Sequence, residues 1–229
     1  MEFSETIKLL KKVSLFRNLS EKALELIASV TTEVKFKSSA VIFNEGEEAD
    51  DLYIITEGQV NIEKHSDGSR RKVLAILDRG DFFGEMAVIT HGKRCAAAVA
   101  AQSVILLSVG KASFLSLLQK EGPLCFEILQ QVCERLEAAD SEIESLTFQN
   151  LPGRIAGKIL DLGKRFGHFN AAGQLEIDLD VTHAGLAEMV GTNRETVSKY
   201  ISIFRKEGSI EHESKKLTIK DANLLATWS

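Results

Sequence analysis

Apolar residues fall into three successive rhythms along the chain. Near the start, Ser20 precedes a run in which Leu24, Ile27 and Ala28 share one face, so a capped amphipathic helix is expected there. From Thr31 to Val109 the period drops to two. TEVKFK, AVIF, DLYIIT, VNIEK, KVLAIL and SVILLSV are short apolar or alternating runs, punctuated by Gly46, Gly58, Gly68, Gly80 and Gly84. Closely spaced short strands with glycine turns predict an antiparallel sandwich or barrel. Residues 111–119 read as a short helix, and a long one runs from about Pro123, a favourable first helical residue, to about Asn150. Along it Leu129, Val132, Leu136, Ala139, Ile143 and Leu146 recur at spacings of 3, 4, 3, 4 and 3. A repeat of about 3.5 residues is that of a two-stranded seam, so a homodimer is expected along this helix. Packing of the stripe on the chain's own barrel is the alternative.

The segment LPG at 151–153 is expected to break the long helix and act as a hinge. Ile155, Ile159, Leu162 and Phe166 then mark an amphipathic helix, and Gln174–Leu179 reads as a strand. In THAGLAEMVGTNRETVSKYISIFRKEG, Thr182 caps a helix with apolar Leu186, Ala187 and Val190. Gly191 permits a tight turn, and Asn193 caps a second helix beginning at Arg194. Small Ala187 lets the helices cross closely, which is the sequence form of a helix-turn-helix. Val197, Ile201 and Phe204 form the inward stripe of the second helix. Arg194, Glu195, Ser198, Lys199 and Ser202 form its polar face. Arg194 suits guanine O6 and N7, Glu195 suits cytosine N4, and Ser198 suits either kind of partner. Lys199 reaches a guanine or a phosphate. A merely solvated helix face is the alternative. The alternating IEHESKKLTI reads as a hairpin, placing Lys215 and Lys216 as phosphate contacts on a wing. The expected divisions are 1–122, 123–150 and 151–229.

Composition changes this picture little. The 229 residues are 44 % hydrophobic with a net charge of −5, an ordinary globular balance. Residues 151–229 carry 11 Lys/Arg against 10 Asp/Glu, whereas residues 1–150 carry 17 against 23, so the acidity lies outside the DNA-reading segment. Cys95, Cys125 and Cys133 have no metal-type spacing and are expected to be free thiols. No run is long and apolar enough to span a membrane, and MEFSETIKLLKK is not a signal peptide, so a cytoplasmic location is expected.

The densest motif in the first half is GDFFGEMAVITHGKRCAAAVAA. Gly84 and the small run from Cys95 to Ala98 allow close approach of a ligand to the backbone. Arg94 offers a guanidinium fork for phosphate, and Glu85 can accept from a sugar hydroxyl. Asp50, Asp51 and Asp81 read as turn residues. No nucleophile–base arrangement is evident, so an enzyme is not expected. His65, His91, Cys95 and Cys125 are candidates for haem ligation, but neither haem nor a metal is expected.

VGTNRETVSKYI, preceded by GRIAGKILDL, resembles the CRP/FNR family of bacterial transcription regulators, over about Leu15 to Ile219. FGEMA…R.AA.V resembles the phosphate-binding cassette of cyclic-nucleotide-binding domains at Phe83, Gly84, Glu85, Met86, Ala87, Arg94 and Ala96. The resemblance implies an α+β chain: an antiparallel β-barrel or jelly-roll sensor domain, a long dimerisation helix, and a winged helix-turn-helix. It implies a homodimer on a palindromic operator, with RNA polymerase as a further partner and a cyclic nucleotide, cAMP or cGMP, as effector. Arg194, Glu195 and the basic residue at Lys199 would read a TGTGA-like half-site, with Lys199 standing where arginine is usual. Ser198 is similar to the serine of the FNR branch. Cys95, Ala139 and Asp140 align with the hydroxyl residues that cAMP-responsive members place on phosphate and adenine. Phosphate and ribose contacts are therefore expected without adenine contacts, and Asp140 is a candidate acceptor for guanine. Arg135 is expected near the effector. A DNA binder with a vestigial pocket, and a sensor module without gene control, are the competing readings.

Overall fold

The computed structural model describes residues 3–11, 13–16, 18–66, 71–213 and 215–229. The turn expected at Gly68, and Ser214 within the C-terminal hairpin, lie outside them. The chain divides into two compact units, residues 1–136 and 137–229.

The first unit opens with α1 (Phe3–Leu10), a 3-10 turn (Ser14–Phe16) and α2 (Glu21–Val30). Ser20 caps α2 as expected, its Oγ accepting from Ala23 N. Among the described residues eight strands follow: β1 (Thr31–Phe36), β2 (Val41–Phe43), β3 (Asp51–Glu57), β4 (Val60–His65), β5 (Arg71–Leu77), β6 (Phe82–Phe83), β7 (Ala97–Ala100) and β8 (Val104–Gly110). The short α3 (Glu85–Thr90) interrupts them after β6. Every ladder is antiparallel, in two sheets ordered β1-β8-β3-β6 and β2-β7-β4-β5. The architecture is thus a jelly-roll-like sandwich rather than a closed barrel. Ile55, Phe83 and Leu106 of one sheet and Val60, Leu77 and Ala98 of the other share one apolar core. A second core packs α2, α4 (Lys111–Lys120) and the start of α5 (Gly122–Phe148) against Leu52, Ile54 and Leu107.

Along α5 the predicted seam stays outside both cores. Leu129, Leu136 and Ile143 are 58 %, 61 % and 61 % exposed, and Val132, Ala139 and Leu146 are also exposed. The alternative of a stripe packed on the chain's own sandwich is therefore not what the fold does with it. An apolar row along α5 is thus left exposed in the single chain.

The second unit contains α6 (Leu151–Phe166), β9 (Gly167–Phe169), β10 (Leu175–Ile177), α7 (His183–Val190), α8 (Arg194–Glu207), β11 (Ile210–Glu213), β12 (Lys216–Ile219) and α9 (Ala222–Ala226). Its sheet is antiparallel, ordered β11-β12-β10-β9. The LPG segment is not a loop. Asn150 Oδ1 accepts from Gly153 N at 3.0 Å and Pro152 lies in the first turn, so LPG opens α6 and the break falls at Gln149–Asn150. Proline suits a first helical turn, where its missing N–H would have no partner. At Gly153 a Cβ would collide with the backbone oxygen of Trp228, so only glycine fits. Trp228 meets Phe204 edge-on at 5.5 Å between ring centres and donates from Nε1 to Glu207 Oε1 at 2.8 Å. Among the described residues, no helix is long and apolar enough to cross a membrane.

Candidate functional site

The candidate effector segment is built from three stretches of the first unit. β6 leads into Gly84, whose φ of 88° turns the chain into α3, and Glu85 is the first residue of that helix. Glu85 is 1 % exposed, and its Oε1 accepts from Arg135 Nη1 of α5 at 2.5 Å. Arg135 Nη2 also donates to Phe82 O at 2.8 Å. Burial pushes the Glu85 carboxyl above its usual pKa, against the opposing pull of Arg135. Arg94 is 4 % exposed. Its Nη1 donates to Gly84 O at 2.9 Å, and its Nη2 donates to Asp51 O at 2.8 Å and Asp51 Oδ1 at 2.9 Å. The guanidinium lies 4.1 Å over the Phe43 ring.

Asp51 is thus not a turn residue. It opens β3, holds Arg94, and accepts from Ser108 Oγ at 2.9 Å. Nor do Glu85 and Arg94 form the surface ion pair that is the default for such residues: both are buried, each with a different partner. Gly84 is explained by the same geometry, because a Cβ there would meet Arg94 Nη1 at 2.6 Å. Glu85 and Arg94 each leave one buried polar atom without a hydrogen bond, Glu85 Oε2 and Arg94 Nε. Of the remaining expected residues, Ala87 and Ala96 are buried, while Met86, Cys95 and Asp140 are exposed.

The helix-turn-helix of the second unit follows its sequence closely. Thr182 Oγ1 accepts from Gly185 N at 2.9 Å, and Asn193 Oδ1 accepts from Thr196 N at 2.8 Å. Gly191 takes a φ of 79°, and Val197, Ile201 and Phe204 are buried. Arg194, Glu195 and Lys199 are exposed on α8. An Asn193→Ala change is expected to destabilise the second unit by about 1 kcal/mol, the usual cost of an N-cap. Its melting transition reads this out, and an unchanged transition would show the cap to be redundant.

Two departures from expectation concern the neighbours of α8. Lys215 and Lys216 carry acidic partners, Asp180 at 2.8 Å and Glu176 at 2.6 Å, although both lysines remain exposed. Ser198 is half-buried rather than free, with its Oγ 2.6 Å from His183 Nδ1. His183 and His212 are residues that pattern reasoning passes over. They line an open cleft of about 580 Å³ with Thr182, Arg194 and Arg205. The one sequence hint is a histidine directly after the capping Thr182. Among the described residues, no group of three or more His, Cys, Asp or Glu side chains is gathered so as to hold a metal ion.

Comparison with known proteins matches both units. The family model described as "Cyclic nucleotide-binding domain" covers residues 33–121, and that described as "Crp-like helix-turn-helix domain" covers residues 153–228. A CRP-like cAMP-activated global transcriptional regulator of Mycobacterium tuberculosis is 30 % identical, covering 96 % of this chain and 97 % of its own. A cyclic AMP receptor protein of Thermus thermophilus is 28 % identical, covering 94 % and 96 %. Among solved structures, a CRP/FNR-family transcriptional regulator, also of Thermus thermophilus, aligns with a TM-score of 0.69 at 29 % identity, over 86 % of this chain and 98 % of that one. With a cyclic nucleotide-binding domain ahead of a DNA-binding Crp-like helix-turn-helix, the chain belongs to the CRP/FNR family of transcription regulators.

Proposed function

We propose that the protein is a homodimeric, cyclic-nucleotide-gated regulator that reads a palindromic operator from the cytoplasm. The observation that carries the effector assignment is the pair of buried, oppositely charged side chains with unused hydrogen-bonding atoms. Arg94 keeps a free Nε donor for a phosphate oxygen, and Glu85 keeps a free Oε2 acceptor for a ribose hydroxyl. Each such atom costs free energy while unpaired, so a ligand that satisfies both gains more than its contact area would suggest. Effectors named for the curated relatives support the same class: those regulators are described by their response to cAMP.

Glu85 also offers a route from effector to helix. Its carboxylate holds Arg135 of α5, so a hydroxyl donating to Glu85 competes for the group that anchors this end of the helix. The exposed seam of α5 is the proposed dimer contact, residues 123–150 its dimerisation segment, and residues 151–229 the DNA-binding domain. Two α8 helices paired in this way would enter successive major grooves about 34 Å apart. Arg194, Glu195, Ser198 and Lys199 read bases there, with Thr182, Asn193, Lys215 and Lys216 near the phosphates. RNA polymerase is the further partner proposed for the DNA-bound dimer.

The test is operator affinity, on a sequence found by selection, measured with and without saturating nucleotide. An increase of about 5- to 150-fold is expected, a coupling of about 1–3 kcal/mol. Identical affinities would favour the second reading, a DNA binder whose pocket is vestigial. That reading draws on one observation, the engagement of both Arg94 Nη atoms by Asp51 and Gly84. Cyclic GMP is titrated beside cAMP because a carboxylate such as Asp140 suits the two guanine donors. Binding of cAMP without cGMP removes that assignment.

A further inference from the structure

A chain of hydrogen bonds ends on one of the proposed base-reading residues. His212 Nε2 lies 2.8 Å from Val181 O, His212 Nδ1 lies 3.2 Å from His183 Nε2, and His183 Nδ1 lies 2.6 Å from Ser198 Oγ. A carbonyl oxygen only accepts, so His212 Nε2 must carry the hydrogen. In a neutral ring, His212 Nδ1 is then the acceptor, and His183 must donate to it from Nε2. His183 Nδ1 is left as an acceptor, so the hydroxyl of Ser198 donates to it. Each link fixes the next, starting from a backbone carbonyl held in place by a Val181 N to Lys215 O bond of 2.8 Å.

Serine is an ambivalent base reader because its hydroxyl can turn to donate or accept. Here the donor is already committed. We infer that His183 and His212 act as positioning residues that fix Ser198 as a hydrogen-bond acceptor toward DNA, so that it selects a base edge bearing an amino group, adenine N6 or cytosine N4. This rests on the reading of α8 as the recognition helix and adds the polarity of one of its contacts.

Protonation would reverse that polarity. A proton on His183 Nδ1 makes the ring the donor, leaves Ser198 Oγ accepting from it, and frees the hydroxyl hydrogen for guanine O6 or N7 or thymine O4. The groups facing His183 are His212 of β11 and Arg194 and Arg205 of α8. Burial, and then these three, lower its pKa from the usual 6.5, so His183 is neutral at pH 7 and above. With a lowered folded-state pKa, the unfolded chain takes up this proton more readily, and acidification below about pH 6.5 also weakens the fold of this unit.

The experiment measures the full-length protein on operators carrying each of the four bases at every half-site position, at pH 8.0 and in a series of steps to lower pH. At one position the parent protein is expected to favour adenine or cytosine on the contacted strand by about tenfold at pH 8.0. Ser198→Ala and His183→Ala should each flatten that preference to within about twofold. His183→Asn, whose side-chain oxygen can replace Nδ1 as acceptor, should retain it. As the pH falls far enough to protonate His183, which lies below the usual 6.5, the parent loses the preference and His183→Asn does not. A purely structural role for His183 would weaken all operators alike and leave the base preference in place. The proposal is overturned if His183→Ala keeps a preference that Ser198→Ala removes, or if the parent favours guanine or thymine there. If Ser198→Ala leaves every preference unchanged, base reading by Ser198 fails and the inference fails with it. Retained sequence-specific binding in that case would keep the broader DNA-reading assignment intact. Circular dichroism of His183→Ala checks its folding, and His183→Asn carries the test if that variant does not fold.

Discussion

A Leu136→Asp variant is expected to sediment as a folded monomer and to bind its operator at least 100-fold more weakly than the parent protein. The side chain is 61 % exposed in the single chain, so the substitution leaves the monomer's cores untouched. A two-fold seam meets each substitution twice. Burying a leucine contributes about 1.5–3 kcal/mol, so two copies forfeit about 3–6 kcal/mol. The two introduced carboxylates add a desolvation cost of several kcal/mol each, or force their own protonation. A loss of about 5 kcal/mol already weakens dimerisation by more than 10³-fold, since about 1.4 kcal/mol corresponds to a factor of ten. Operator affinity follows, because a monomer engages only one half-site. Analytical ultracentrifugation and a DNA-binding titration on the same preparation check both parts. Tight operator binding by a confirmed monomer would remove the dimer from the mechanism.

Arg94→Lys carries the second large effect. The substitution keeps the positive charge and discards the planar fork that reaches Gly84 O, Asp51 O and Asp51 Oδ1 together. Cyclic-nucleotide affinity is expected to fall at least 100-fold by calorimetry, and operator affinity with nucleotide should drop to its level without nucleotide. Lysine is preferred to leucine because an apolar residue would strand Asp51 beside a buried face, and breaking a buried pair costs about 3–5 kcal/mol. A melting transition close to that of the parent separates lost recognition from lost folding. Undiminished nucleotide affinity in a folded Arg94→Lys protein would take phosphate recognition away from this residue.

What could be read from the chain, and what could not, divides by range. The helix-turn-helix was legible because its determinants are local. Thr182, Gly191 and Asn193 punctuate it within a dozen residues, and Val197, Ile201 and Phe204 repeat at helical spacing. The long helix α5 and its apolar stripe were legible for the same reason. Strand β7 was not, because Ala97, Ala98 and Ala100 carry little strand propensity. The structure pairs β7 on both sides, with β2 and β4, where small side chains fit. LPG read as a hinge because proline and glycine end helices more visibly than they begin them. The two pairings that shape the candidate sites were hidden by distance. Asp51 and Arg94 are separated by a whole sheet's worth of chain, and His183 meets His212 only once the wing has folded back. Asp51, His183 and His212 lie inside segments whose periodicity marks strands and a helix, but periodicity says nothing of which polar side chains meet.

The packing of Trp228 has a practical side. It is the chain's single tryptophan, and it rests edge-on against Phe204 of α8. Light absorbed at the red edge of the protein's spectrum is therefore captured in the DNA-binding unit alone. Its emission is a built-in optical reporter for that unit, free of background from the first unit. A nucleotide titration followed at this wavelength records only what has travelled from one unit to the other, without an attached dye.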